Sequence, residues 1–427
     1  MTIGIICAAM LLGFAIDLPI FVAVIGAVFL YFLTNNGAPP TIAVQRLVGS
    51  SQNLSLLAVP FFIMLGTVMN HTGITRRLLG LAEMLVGRYR GGLAQANILL
   101  STMMGGLSAS NLADCAMLTK MLLPEMERCG YSRSFAAAVT ASGSLITPII
   151  PPGIALIIYG FLADVSIGKM FMAGILPGLL CAIALMFTAY LVSVKKGYAP
   201  SRCERVTSQE FFTTLKNAVP ALTLVVVIIG GIRFGVFTPT EAGAVAVAYV
   251  IGIGLFVYKE MRPRHILEAL METTRSTASV MIIIMACSAL AWIFSWEQVA
   301  QNMATAITHV TTSPVLFLLM INAIFLVMGM FLEGNAILIV LVPLLKPTVE
   351  ALGIDLIHFG LVIILNLSIG TLTPPVGTVM LLVTGLSGTS VLEFFKTALP
   401  FYIALIVCLL LLSFFPQITL LLPNMMN

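Results

Sequence analysis

Two stretches rich in small, hydroxyl and proline residues interrupt long apolar runs, and their chemistry suits ion binding. They read SGSLITPIIPPG over residues 142–153 and NLSIGTLTPPVG over residues 366–377. Each proline removes a backbone donor and clashes with the preceding turn, so closely spaced prolines unwind a helix. An unwound turn inside a membrane exposes carbonyls that bind cations and helix ends that face anions. The prolines concerned are Pro148, Pro151, Pro152, Pro374 and Pro375.

A polar interruption also precedes each break, at a matching distance. The first, MMGGLSASNLAD, covers residues 103–114, and the second, FLEGNA, covers residues 331–336. Ser108 lies about 39 residues before Thr147, as Gly334 does before Thr373. A single break could equally be a bend in the helix with no binding role, because proline and glycine are common in membrane helices. Two matched sets favour binding sites in an internal repeat.

The composition places these motifs in a membrane protein. Of 427 residues, 59% are hydrophobic and 9% are charged, and the mean hydropathy is +1.09. A soluble domain carries about 25% charged residues, so a soluble enzyme is excluded. The seven cysteines contain no C-x-x-C pair and the four histidines share no ligand spacing, so these residues predict neither a disulfide framework nor a metal site.

The apolar runs predict an all-α polytopic fold, because each is long enough to cross or enter a bilayer. The first run is interrupted at Asp17 to Pro19, which leaves open whether it forms one span or two. The runs cover residues 2–33, 53–70, 93–124, 134–162, 170–194, 219–237, 241–258, 277–295, 313–345, 356–384 and 398–424.

Basic loops orient the chain, because Lys and Arg concentrate on the cytoplasmic side. The connections at 76–90 and 120–133 are both basic, although an apolar segment lies between them. That segment therefore enters and leaves on one side, as a re-entrant hairpin over residues 93–128. The run at 313–350 lies between cation-poor loops and predicts a second hairpin from the opposite side. With the broken helices at 134–162 and 356–384, the hairpins form two inverted-topology repeats.

Four regions follow from this reading. Residues 1–52 hold N-terminal scaffold helices, and residues 53–200 hold the first repeat. Residues 201–275 hold scaffold helices and an arm, and residues 276–427 hold the second repeat. Amphipathic stretches at 74–90, 208–218 and 262–275 are expected to form cytoplasmic arm helices.

With these motifs in view, the chain resembles the large membrane subunit of a TRAP transporter, the DctM-type permease. The resemblance covers nearly the whole chain and rests on AVPFFIMLGTVMN (58–70), GGLSASNLAD, PIIPPGIALIIYG, SIGKMFMAGILPG, FLEGNA and LTPPVG. It implies a sodium-driven importer in which a hairpin-and-broken-helix core slides against a scaffold, an elevator mechanism. It also implies a separate small four-helix membrane subunit, a soluble extracytoplasmic binding protein and residence in the bacterial inner membrane.

The same resemblance implies two or more sodium ions and no organic cofactor. The first site would use Ser108, Ser110, Asn111, Gly143, Ser144 and Thr147; the second would use Glu333, Gly334, Asn335, Gly370, Thr371 and Thr373. Glu333 is either a direct ligand or a hairpin cap. Asp114 takes part in substrate binding or coupling, or it braces the first hairpin.

Two other classes of function remain as alternatives. A channel would need a selectivity sequence, and paired inverted hairpins suit alternating access better. An intramembrane hydrolase could use only Ser108 or Ser110 with Asp114, and no membrane-embedded histidine or lysine offers a base. For the substrate, Val379 stands where dicarboxylate relatives more often have Asn, which favours a sugar acid such as sialic acid over a C4-dicarboxylate.

Overall fold

The computed structural model describes residues 2–16, 18–35, 37, 39–105, 110–202 and 207–426, without the side chains of residues 2 and 308–310. All regular elements within these ranges are helical, so the all-α prediction is confirmed. The first ten helices are α1 (Thr2–Ala15), α2 (Ile20–Thr34), α3 (Thr41–Ser51), α4 (Ala58–Met69), α5 (Ile74–Val86), α6 (Gly92–Met104), α7 (Asn111–Arg128), α8 (Arg133–Ser144), α9 (Ile154–Ala163) and α10 (Ile167–Lys196).

The remaining ten helices are α11 (Ser208–Arg233), α12 (Pro239–Gly252), α13 (Pro263–Trp296), α14 (Val299–Val310), α15 (Pro314–Phe331), α16 (Gly334–Ala351), α17 (Leu356–Leu372), α18 (Thr378–Ser387), α19 (Val391–Phe414) and α20 (Gln417–Asn424). A 3₁₀ turn over Leu54–Leu57 leads into α4, and a π turn over Ile253–Val257 extends α12.

Seven helices of the described part are long and apolar enough to cross a membrane, or eight if α3 and the bent segment after it count as one span. The sequence left open whether the N-terminal run 2–33 forms one segment or two. In the structure it forms two helices, α1 and α2, which pack against each other. Residues 208–218 and 262–275 are not separate arms, because each continues without a break into the spans of α11 and α13. Helices α3 and α14 fall outside the predicted spans.

Helix packing follows a twofold pattern between the two halves of the chain. Helix α6 packs on α8 as α15 packs on α17, and α10 packs on α19. The second arm of each hairpin contacts the second half of the opposite broken helix, α7 with α18 and α16 with α9. The two hairpins and the two breaks therefore interlock in one core. Helices α2, α3, α4, α12 and α13 pack on one another beside it, and α4 and α13 also contact α9 and α16 of the core, respectively.

Helix boundaries give the register that relates the two halves. Helix α9 begins at Ile154 and ends at Ala163, and α18 begins at Thr378 and ends at Ser387, in both cases 224 positions later. The caps Ser166 and Ser390 of α10 and α19 differ by the same 224 positions. Before the breaks, the caps Ser132 and Asp355 of α8 and α17 differ by 223 positions. Thr147 therefore corresponds to Gly370 or Thr371, whereas the Thr-Pro motif alone had paired it with Thr373.

Candidate binding site between the hairpin tips

The hairpin tips and the helix breaks meet around a small polar cavity of about 70 Å³. Both repeats contribute to its wall, as their interlocked packing requires. Its lining comprises Ser110, Asn111, Leu112, Thr147, Pro148, Gly153, Ile154, Ala155, Glu333, Gly334, Asn335, Leu338, Ile364, Leu367, Ser368, Thr371 and Thr378.

The amino termini of several helices lie at the wall of this cavity. In the described chain four helices begin at its wall: α7 after Ser110, α9 after Gly153, α16 after Glu333 and α18 after Gly377. The first turns of a helix carry unsatisfied N–H groups and a partial positive charge, which together attract anions. Gly377 has a φ of +48°, a left-handed conformation that favours glycine where α17 turns into α18. The breaks therefore create anion-attracting helix ends at the centre of the molecule.

Two threonines mark the opposite, carboxyl-terminal ends of α8 and α17 at the same cavity. Thr147 lies three residues beyond the end of α8, and its hydroxyl donates to Asp114 Oδ2 at 2.7 Å. Thr371 lies in the last turn of α17, and its hydroxyl donates to the Ser368 carbonyl at 2.7 Å. Because each hydroxyl proton is already donated, the oxygen lone pairs remain to face a cation. Helix carboxyl termini also carry partial negative charge, which favours a cation there.

Asp114 connects the first hairpin to the first break. It lies in the first turn of α7, its side chain is 2% exposed, and it accepts the hydroxyl proton of Thr147. A buried carboxylate is costly unless it is hydrogen-bonded or faces a cation. Asp114 thus braces the hairpin against the break, and its charge lies one hydrogen bond from the cavity wall.

The predicted sodium ligands divide into two groups. Ser110, Asn111, Thr147, Glu333, Gly334, Asn335 and Thr371 line the cavity, together with Pro148. Gly143, Ser144, Gly370 and Thr373 do not line it, and Ser108 lies outside the described residues.

Gly370 has a packing role where α15 crosses α17. A Cβ atom at Gly370 would lie 2.7 Å from the Cα atom of Gly329, which is closer than two carbon atoms approach. Thr373 follows the last residue of α17, and its hydroxyl donates back to the carbonyl of Ile369 in that helix at 2.8 Å.

A wider cavity of about 460 Å³ shares the hairpin tips with the small one and extends to α4 and α13. Its outer wall carries polar residues that the sequence reading had not assigned to the site: Thr67, Asn70, Glu272, Ser276 and Ser279. The three on α13 recur at intervals of four and three, so they share one helix face. That spacing, in a helix with an apolar middle, is the signal that would have identified them.

The charges around both cavities are few and acidic. The ionisable side chains in the described lining are Glu333 and Glu272, and neither Lys, Arg nor His contributes to it. Glu333 occupies the N-cap position of α16 without a side-chain capping hydrogen bond, and its carboxylate accepts from the Asn335 amide at 3.2 Å. Any positive potential in these cavities therefore comes from helix amino termini or from bound cations.

Three comparisons relate this chain to known proteins. Residues 3–418 match the family model described as "Tripartite ATP-independent periplasmic transporter, DctM component". The chain is 39% identical to the sialic acid TRAP transporter large permease protein SiaM of Vibrio cholerae, over 99% of this chain and 97% of that protein. It is 36% identical to the C4-dicarboxylate TRAP transporter large permease protein DctM of Pseudomonas aeruginosa, over 89% and 88% respectively.

A longer relative and a solved structure add to these matches. The sialic acid TRAP transporter permease protein SiaT of Haemophilus influenzae is 38% identical over 98% of this chain and 67% of that protein. The crystal structure of the Alcanivorax borkumensis YdaH transporter superposes with a TM-score of 0.58 over 86% of both chains, at 16% identity, a similarity of fold alone. On the family match and the near full-length relatives, this chain is a multi-pass membrane protein of the DctM family, the large permease component of TRAP transporters, and not an enzyme.

Proposed function

We propose that the protein imports a small organic anion together with sodium ions, by an elevator movement of its interlocked core. The observation that carries this proposal is the charge of the central cavities. Four helix amino termini face the site, while the described lining contributes two glutamates and no basic side chain. An anion entering this site meets partial positive charges and carboxylates, so co-transported cations are the groups that neutralise it.

The sodium ions are proposed to lie at the ends of α8 and α17, near Thr147 and Thr371. Carbonyl and hydroxyl oxygens are hard ligands of the kind that alkali cations bind in broken membrane helices. Thr371 lies within one residue of the position equivalent to Thr147, and both threonines line the small cavity, which supports this assignment. The twofold relation between the halves supports at least two sodium ions, one for each repeat.

The wider cavity is the proposed substrate site. Its volume of about 460 Å³ falls within the usual range for small-molecule pockets. Its inner wall carries Ser110, Glu333 and Asn335 of the core, and its outer wall belongs to α4 and α13. A substrate held between these walls would move with the core past the outer helices, which is the geometry of an elevator.

A sugar acid such as sialic acid is the preferred substrate, and a C4-dicarboxylate is the alternative. Two of the relatives described above are named for sialic acid and one for C4-dicarboxylates. A further relative, YiaN of Escherichia coli, is named for 2,3-diketo-L-gulonate, also a sugar acid, at 34% identity. The polar outer wall of Asn70, Ser276 and Ser279 suits the hydroxyl groups of such a substrate.

A small membrane subunit and a soluble extracytoplasmic binding protein are the proposed partners, in the bacterial inner membrane. The chain covers 67% of SiaT, so that relative holds a further segment of its own. We expect the isolated chain not to transport, because capture and scaffold support belong to the partners.

The test is uptake into proteoliposomes that contain the chain, its small subunit and its cognate binding protein. Saturable uptake of sialic acid that requires an inward sodium gradient is the expected result, with an inward potassium gradient as the matched control. Uptake that is equal in the two gradients would refute sodium coupling. Flux that rises linearly with substrate concentration would favour a channel. Uptake of a C4-dicarboxylate but not of sialic acid would identify the C4-dicarboxylate as the substrate.

A further inference from the structure

Three metal-ligating side chains that are remote in sequence come together beside the wider cavity. His71 lies two residues after the end of α4, and His265 and Glu268 lie in the first two turns of α13. One ligand atom from each residue lies within 4.8 Å of those of the other two. The two imidazole rings stack with their centroids 4.7 Å apart. The histidines had shown no ligand spacing in sequence because this grouping depends on the packing of α4 against α13.

We propose that His71, His265 and Glu268 form a binding site for a divalent transition metal such as Zn²⁺. Two imidazoles and one carboxylate are a common set of protein ligands for zinc, with water in the fourth position. His265 and Glu268 are three residues apart and therefore lie on one face of α13. All three side chains are partly exposed, so water and metal both reach the site.

Small movements are enough to form the site. Ligand atoms of a tetrahedral zinc site lie about 3.4 Å apart, given bonds of about 2.1 Å, so the three groups must close by roughly 1 Å. Two weak interactions give way. The Nδ1 atom of His265 accepts from the Arg262 amide at 3.2 Å, and Glu268 accepts from Arg264, whose side chain is 85% exposed. An exposed ion pair such as Arg264–Glu268 contributes little stability, so a metal ion displaces it readily.

The site lies at the edge of the wider cavity. Asn70, next to His71, and Glu272, one helical turn after Glu268, both line that cavity. A bound metal would tie the end of α4 to the start of α13, the two helices that form the outer wall. Metal binding by the folded chain does not depend on the proposed transport activity.

Metal binding is tested on the full-length chain, purified without its affinity tag, with Cys129 and Cys203 replaced by Ser to remove competing thiols. Co²⁺ is titrated by visible absorption, and Zn²⁺ is measured by its competition with Co²⁺. We expect one Co²⁺ per chain, displaced by Zn²⁺. His71→Gln should lower the affinity by more than tenfold, because loss of even an outer-shell partner of a metal ligand costs about 10- to 100-fold. This substitution leaves the capping bond of α13 intact, so it tests the ligand without disturbing the helix.

Glu260→Gln is the matched control, because Glu260 is a nearby carboxylate that pairs with Arg77 and belongs outside the three-residue group. It should leave the affinity unchanged. Equal Co²⁺ affinity in the wild type and His71→Gln would overturn the proposal, as would the absence of saturable binding. Either result would assign the three side chains to helix capping and ring stacking alone.

Discussion

Replacing Thr371 by Val distinguishes the structural register from the one suggested by the Thr-Pro motif. The substitution keeps the volume of the side chain and removes one hydroxyl oxygen at the cavity wall. That hydroxyl donates only to the Ser368 carbonyl of its own helix, so its loss leaves no remote group unpaired. The effect of Thr147→Val would be harder to interpret, because this substitution also removes a hydrogen-bond donor from the buried Asp114 carboxylate.

The expected effect follows from the coordination of the ion. A cation in a low-dielectric site that loses one oxygen partner loses about 1–3 kcal/mol, the usual cost of leaving a buried polar group unsatisfied. That free energy corresponds to roughly five- to 150-fold in affinity. Thr371→Val should therefore raise the sodium concentration for half-maximal uptake by that factor. The sodium dependence should also become less steep, because the remaining ion couples alone.

Thr373→Val is the matched control, identical in chemistry and two residues further along the chain. Its hydroxyl donates to the Ile369 carbonyl and is absent from the cavity lining. We expect wild-type sodium dependence in this variant. The assay is uptake at varied external sodium, with the amount of assembled complex measured by gel filtration. Wild-type behaviour of Thr371→Val, or a larger effect of Thr373→Val, would refute the assignment of Thr371 to a sodium site.

Two further substitutions test packing and charge. Gly370→Ala should lower the stability by about 1–3 kcal/mol, because its methyl group would overlap Gly329. The control is Gly385→Ala, whose methyl group meets open space and should not lower the stability. Fluorescence-detected unfolding in detergent compares the two variants. Burial, and then the charge of Glu125, raises the pKa of Glu83 above its ordinary value of 4.5. Glu83 lies in α5, outside the candidate membrane spans. Its contribution to stability is therefore present below pH 4.5 and lost as the pH rises through the raised pKa, so Glu83→Gln should show a smaller fall in melting temperature over that range.

The fold class and the location of the breaks could be predicted from the sequence, because they depend on local chemistry. Prolines remove donors wherever they occur, and apolar runs of membrane length leave few alternatives to helices. The register between the repeats could not be read from Thr-Pro alone. The first break has two more residues between Thr-Pro and its closing glycine than the second has. Helix starts, which the caps fix, place Thr147 opposite Gly370 or Thr371, not opposite Thr373.

Only the tertiary structure determined which polar residues share a cavity. Thr67 and Glu272 lie about 200 positions apart in sequence, yet α4 packs against α13 and both residues line the wider cavity together with the hairpin tips. The same contact brings His71 to His265. A sequence specifies the chemistry of each residue and the period of each helix. Which helix faces meet depends on the summed packing of many apolar side chains, and no single motif encodes that sum.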